Sequence, residues 1–351
     1  MDNGIAALEV VGLVKHFRVG GRVADGQSVV HAVDDVSFTL RPGEMFGIVG
    51  ESGSGKSTIA KCILRLLEPT AGTIRLHGTD ITHLSRGAMR PLRRELHVVF
   101  QDPYSSLNPR MTCDAIVGEP LRLHRLGSRS ERDARVGRVF EAVGLQQELR
   151  YRYPHELSGG QRQRVAIARA LVVEPKVLVA DEPVSALDTS LQAGVLNLLQ
   201  DLRASMGFSC LFIAHDLRTV EYLCDRFAVL HAGKIVEIAP RAQLFRSPQH
   251  PFTQALLSAT LAADPRKRGR QHLVLNGAQP SPLAPPTGCR FRTRCPLETQ
   301  CPHAIDEEPP LRELTPGHLV ACHLAAPGKP VPRLVAAQSP AISDRPRART
   351  V

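Results

Sequence analysis

The sequence predicts an α/β fold carrying a helical insert. Three observations point there: short apolar, β-branched runs recur along the chain; one of them, Met45–Val49, leads straight into a glycine-rich loop; and that loop is followed by helical spacing at Ile59, Ile63, Leu64 and Leu67. With 351 residues, 43% of them hydrophobic, the chain can bury a sizeable core, so one large domain with a smaller appendage is expected.

The elements follow in order. Leu8–Val14 reads as a strand, and His31–Leu40 as a second one ended by the turn Arg41-Pro42-Gly43-Glu44. Met45–Val49, the glycine loop and a helix over Lys56–Leu67 form a strand–loop–helix unit. Further strands are expected at Thr73–His77, Leu96–Phe100, Lys176–Ala180, Ser209–Ala214, Arg226–Leu230 and Lys234–Ile238. Between Phe100 and Lys176 the pattern is mainly helical, with segments near Cys113–Leu123, Ser130–Val143 and Gly159–Val172. Near residue 262 the composition changes, through the basic run Arg266–Arg270 and the proline-rich Pro280–Pro286. From Ala326 to Val351 proline, alanine and arginine dominate, as in a mobile tail.

No apolar run approaches the roughly 18–20 residues needed to cross a bilayer. The N-terminus lacks a basic segment followed by an apolar core, so a cytoplasmic protein is expected. The net charge of +10 could suit nucleic acid or an anionic membrane surface, but a solvated basic surface with a basic tail is the favoured reading, since charge alone is weak evidence for a partner.

Gly50-Glu51-Ser52-Gly53-Ser54-Gly55-Lys56-Ser57 fits G-x-x-x-x-G-K-[ST]. Its glycines let the backbone curl so that N–H groups meet phosphate oxygens, and the next helix adds the positive end of its dipole. Lys56 would reach the β- and γ-phosphates and Ser57 would ligate Mg²⁺. Alone, this loop leaves kinases and GTPases open. The apolar strand ending in Asp181-Glu182 narrows the class: Asp181 would hold Mg²⁺ through water, and Glu182 could polarise an attacking water.

Leu157-Ser158-Gly159-Gly160-Gln161, followed by the rest of QRQRVAIARAL, resembles the defining sequence of the ABC ATPase family. The resemblance covers roughly Leu8 to Ala262. It implies a P-loop ATPase core with an N-terminal antiparallel β subdomain within residues 1–262, and a helical subdomain over about 102–172. It implies that Gly50 to Thr58 bind ATP, and that Ser158, Gly159, Gly160 and Gln161 close on the γ-phosphate of ATP held by a second ATPase subunit. Gln101 resembles the glutamine that contacts Mg²⁺ and senses the membrane subunit. Asp188, in Ser185-Ala186-Leu187-Asp188, resembles the residue that communicates across the dimer, and His215 the histidine that contacts the γ-phosphate. Phe17 resembles the aromatic that stacks on adenine, in a region where Val10–Val30 holds an insertion.

FQDPYSSLNP, from Phe100 to Pro109, and HPFTQALL, from His250 to Leu257, are similar to segments of oligopeptide/dipeptide importer ATPases. That subfamily implies two integral membrane permease subunits, an extracytoplasmic substrate-binding protein, a paralogous ATPase partner and no nucleic acid. It implies a peripheral location on the cytoplasmic face of the plasma membrane. Nickel and some oligosaccharide importers share the architecture. A C-terminal extension over 263–326 holds Cys289, Cys295, Cys301 and Cys322, with a tail over 327–351. Four thiols so spaced can surround zinc or an iron–sulfur cluster, or stay free; the spacing is not the usual zinc one. Some importer ATPases resembling this chain carry a four-iron cluster on such cysteines.

Overall fold

The structure is a computed structural model and describes residues 4–19, 28–262, 273, 275 and 277–334. Two sheets organise it. Strands β1 (Leu8–Val19), β2 (Ser28–Leu40), β4 (Ala71–Leu76) and β5 (Thr79–Asp80) form an antiparallel sheet in the order β2-β1-β4-β5. The second sheet contains β3 (Met45–Val49), β6 (Leu96–Val99), β7 (Val177–Asp181), β8 (Ser209–Ala214), β9 (Arg226–His231), β10 (Lys234–Pro240), β11 (Arg312–Thr315) and β12 (His318–Val320). Its order is β11-β12-β10-β9-β3-β8-β7-β6, with β9, β3, β8, β7 and β6 parallel and the other end antiparallel.

Strand alternation feeds two cores. Phe46, Ile48, Val177, Val179, Leu211 and Ile213 face the antiparallel sheet and helix α1 (Lys56–Ile63), and Phe38 stacks on Phe46 with ring centroids 5.2 Å apart. Met45, Val49, Leu178, Ala180, Cys210 and Phe212 face the other side. There they meet helices α4 (Cys113–Leu123), α5 (Arg129–Ala142), α6 (Gly159–Leu171) and α7 (Thr189–Met206). Strands buried on both faces read as continuous apolar runs, which is why they stand out in the sequence. The shorter helices are α2 (Arg86–Leu92), α3 (Pro103–Ser106), α8 (Leu217–Leu223), α9 (Arg241–Arg246) and α10 (Pro251–Ala262).

Three expectations need correction. The first helix stops at Ile63 rather than Leu67, because Arg65 takes a left-handed conformation with φ 54° and the remaining apolar residues pack from a turn. Leu8–Val14 continues to Val19, pairing with Ser28–Val30; the glycines at 20, 21 and 26 lie outside the described residues. The tail does not start at 327. Val331 is buried and its N–H donates to Gln249 Oε1 at 3.1 Å, while Leu334 N–H donates to Gln254 Oε1 at 2.8 Å. Residues 335–351 lie outside the described residues.

The C-terminal segment extends the central sheet. Strand β12 pairs with β10 at Glu237↔Val320 and Ile238↔Leu319. Glu237, fully buried, accepts from the N–H groups of Gln249 and His250 at 2.8 and 2.9 Å and lies 2.7 Å from His318 Nε2. Phe291 inserts into a ring cluster with His231, His250 and Phe252, at centroid distances of 5.3, 5.4 and 5.6 Å.

Candidate active site

Strand β3 delivers the chain to the glycine loop at the carboxyl edge of the sheet, and α1 leaves from it. Glycine is required at two positions. A Cβ on Gly50 would lie 2.2 Å from the Leu230 carbonyl oxygen, and one on Gly55 2.2 Å from that of Ala32. Gly55 also has φ +107°. The Lys56 ammonium, 4% exposed, donates to the Gly50 and Glu51 carbonyls at 2.8 and 2.9 Å. Burial pulls its pKa down, while the nearby Glu182, Asp181 and Glu51 carboxylates oppose that. A desolvated cation in a curled loop is a seat for a multiply charged anion.

Strand β7 ends in the two acids. The Ser57 hydroxyl donates to Asp181 Oδ1 at 3.1 Å. Burial raises the pKa of Asp181, with Ser57 acting against it. A hydroxyl and a desolvated carboxylate facing each other fit a hard divalent cation such as Mg²⁺. Glu182 turns the backbone sharply at φ 46°, an uncommon conformation for a side chain of this size. Its Oε2 lies 3.0 Å from His215 Nδ1, which follows β8, and accepts from Gln101 Nε2 at 3.3 Å, just after β6. Three strands therefore bring Glu182, His215 and Gln101 to one point.

A cleft of about 490 Å³ is lined by Ser52, Gly53, Gly55, Lys56, Ser57, Thr58, Gln101, Glu182 and His215. Val30, Ala32 and Pro282 complete its wall. Phe17 sits opposite Val30 in the β1–β2 register, at the same end of the cleft, though only Val30 lines it. Glu51 and Ser54 belong to the loop but are not on the cleft wall. Ser54 is buried and its main chain is held by Gly233 N–H at 2.9 Å.

Ser158–Gln161 do not line this cleft. Ser158 caps α6: its hydroxyl accepts from Gln161 N–H at 3.3 Å and its own N–H donates to Gln161 Oε1 at 2.9 Å. Ser158 itself is exposed at this helix N-terminus, with Gly159 half-buried and Gly160 buried beneath it. Asp188 caps α7 in the same way, accepting from Leu191 N–H at 3.0 Å and from the Ser190 hydroxyl at 2.7 Å. The loop after Gln101 is tied to α6, since Arg162 stacks on Tyr104 with the guanidinium carbon 3.6 Å from the ring centroid.

The cleft and the exposed Ser158 at the start of α6 are thus separate features of the chain. The ABC transporter family profile matches residues 33–185, and the profile of the oligopeptide/dipeptide transporter C-terminal region matches 236–301. The oligopeptide transport ATP-binding protein AppF of Bacillus subtilis is 48% identical over 299 residues, covering 84% of this chain and 90% of that protein. A Brucella ovis protein, provisionally named a peptide import ATP-binding protein, is 49% identical over 316 residues, 90% of this chain and 96% of its own length.

The chain belongs to the oligopeptide/dipeptide import family of ABC transporter ATP-binding proteins.

Among solved structures, the ABC cassette MJ0796, in a dimeric post-hydrolysis state bound to ADP and Pi, is 29% identical with a TM-score of 0.60. The match covers 67% of this chain and 98% of that one. The cassette cbiO1 of Clostridium perfringens, part of a cbiONQ complex, gives the same identity and score over 69% of this ABC protein and 91% of its own chain.

Two contributors to the site were not legible as such. Pro282 belongs to a stretch marked only by its prolines, yet its carbonyl accepts from His31 N–H at 2.8 Å and it walls the cleft. Arg294 is a residue between two cysteines in sequence; in the structure it grips the glycine loop at Glu51, through bonds of 2.6 and 2.9 Å. His16, His31 and Asp34 bring three potential ligand atoms within 4.8 Å of one another. Asp34 is already paired with Arg290, and Lys234 also lowers its pKa, so its charge is largely neutralised before any cation arrives. Among the described residues, no helix is long and apolar enough to cross a membrane.

Proposed function

We propose that this chain is the ATP-hydrolysing subunit of a peptide importer, and that it supplies half of each of two composite ATP sites. The observation that carries this reading is that Lys56, Ser57 and Glu182 line one cleft, with Asp181 bonded to Ser57 behind it, while the exposed Ser158 lies outside that cleft. Gly50–Thr58 bind the phosphates, Ser57, Asp181 and Gln101 hold Mg²⁺, and Phe17 stacks on adenine. The N-terminus of α6, with the exposed Ser158 followed by Gly159, Gly160 and Gln161, closes over ATP held by a second ATPase subunit. Asp188 at the start of α7 communicates across that interface.

Glu182 accepts a proton from the attacking water, and His215 orients Glu182 and meets the γ-phosphate. Mg²⁺, when bound, neutralises charge on the phosphates. Closure of the two subunits drives a pair of permease subunits at the cytoplasmic face of the membrane, which move a peptide handed over by an extracytoplasmic binding protein. The 48% identity to the oligopeptide transport protein AppF, over an alignment covering 84% of the chain, supports the peptide assignment. Co-purification with two integral membrane proteins, and peptide-stimulated ATP hydrolysis by the reconstituted complex, would bear it out. Hydrolysis stimulated by DNA or RNA instead would overturn it.

The finer proposal concerns Cys289, Cys295, Cys301 and Cys322. Each thiol is raised by burial, Cys295 to about 12 and Cys322 to about 11, and Cys295 also senses Cys322, Cys289 and Cys301. No three of these four sulfurs lie within 4.8 Å of one another. One tetrahedral ion with bonds of about 2.3 Å would need them closer than that. An iron–sulfur cluster, whose ligand sulfurs stand further apart, would need the four as thiolates, and its binding would have to outweigh the burial that raises them. Protein purified without oxygen should contain iron and acid-labile sulfide; stoichiometric zinc, or no metal, would refute the cluster.

A further inference from the structure

The glycine loop carries its own negative charge. Glu51 lies directly after Gly50, and its carbonyl accepts from both the Lys56 ammonium, at 2.9 Å, and Ser54 N–H, at 3.2 Å. A carboxylate there is unfavourable for binding a nucleotide with several negative charges. The structure neutralises it from 243 residues away: Arg294 Nη1 and Nη2 donate to the two Glu51 oxygens at 2.6 and 2.9 Å. The Arg294 side chain is 9% exposed and that of Glu51 28%. Arg294 is the first cause of the lowered pKa of Glu51.

Arg294 is itself held firmly. It ends a short turn, Arg292–Arg294, in which its N–H donates to the Phe291 carbonyl at 3.0 Å, and Phe291 is anchored in the ring cluster against β9 and α10. A parallel tie comes from Arg290, which donates to the Ala232 carbonyl at 2.7 Å. The next residue, Gly233, holds the Ser54 carbonyl. The C-terminal segment thus grips the glycine loop by a direct and an indirect route.

We infer that Arg294 is a positioning residue for ATP binding, acting through Glu51, and that the cysteine-bearing extension is thereby a structural part of the nucleotide site. This rests on the reading of the cleft as an ATP site. Bidentate Arg–carboxylate pairs fix geometry as well as charge, so lysine is an incomplete replacement. Removing the guanidinium leaves a partly desolvated carboxylate beside the phosphate cradle, at a cost expected to reach about tenfold in affinity.

The test measures MgATP binding to the purified full-length chain by calorimetry, alongside steady-state hydrolysis by the assembled transporter. Arg294→Ala should raise Kd and KM for ATP about tenfold, with kcat at saturation within about twofold. Arg294→Lys should fall between it and the parent. Arg294→Ala combined with Glu51→Gln should recover most of the lost affinity, which a merely structural role for Arg294 would not produce. Binding by Arg294→Ala within twofold of the parent would overturn the inference, as would failure of Glu51→Gln to restore it. Lys56→Ala separates the levels: if it too binds ATP normally, the reading of the cleft fails, whereas loss of binding with Lys56→Ala alone leaves that reading standing and removes only the role of Arg294.

Discussion

Replacing Glu182 with glutamine alters one atom of the site and isolates its chemistry. Glu182 Oε2 is the meeting point of His215 Nδ1 at 3.0 Å and Gln101 Nε2 at 3.3 Å. The amide oxygen introduced by Glu182→Gln can occupy the same point, accept from Gln101 Nε2 and stay beside His215 Nδ1, and the strained turn at φ 46° is unchanged. What is lost is the ability to take a proton. A positioned general base contributes about 10²–10⁴-fold, or about 3–5 kcal/mol of barrier. ATP affinity should hold or improve, because one carboxylate near the phosphates is gone and Lys56 remains. The assay is phosphate release by the assembled transporter at saturating MgATP, paired with ATP binding to the isolated chain. Hydrolysis within fivefold of the parent would refute the role assigned to Glu182. A parallel loss of ATP affinity would show instead that the carboxylate supports the loop.

Two further outcomes follow from the core. Burial holds the pKa of His97 and His231 at about 4 and that of His250 at about 3, against about 6.5 in an unfolded chain. Below about pH 6.5 the unfolded chain therefore binds more protons than the folded one, and stability falls as pH drops towards the folded values. At pH 5 each histidine costs about 2 kcal/mol, so thermal melting should shift down steeply between pH 7 and pH 5; a flat melting temperature over that range would contradict these burials. Phe291→Ala removes the ring that joins His231, His250 and Phe252, and should cost about 3–5 kcal/mol and loosen ATP binding through Arg294. Denaturant unfolding and calorimetry check this, and unchanged stability would mean the extension is not packed through Phe291.

The parallel strands were legible in the sequence because they are buried on both faces. Met45–Val49 and Ser209–Ala214 agree with the observed strands residue for residue. The glycine loop and the acids after β7 were legible because their chemistry is local. What stayed hidden depends on distant partners. Strand β12 has only three residues and is recognisable only beside β10. Residues 327–334 have the composition of a tail, and are held by Gln249 and Gln254 on the core. Arg294 reads as a spacer between cysteines until the fold sets it against Glu51. The separation of Ser158 from Lys56 was expected from the family resemblance, and the fold shows its geometry, with Ser158 exposed at the start of α6 and Lys56 buried in the cleft.

That separation is the centre of the account, and Ser158→Arg tests it most directly. Ser158 does not line the cleft, so the isolated chain carrying this substitution should bind ATP with the affinity of the parent. In the assembled transporter the same substitution should abolish hydrolysis, because the loop can no longer close over the nucleotide of the opposing subunit. Loss of ATP binding by the isolated chain, or retention of hydrolysis in the assembly, would contradict a site shared between two subunits.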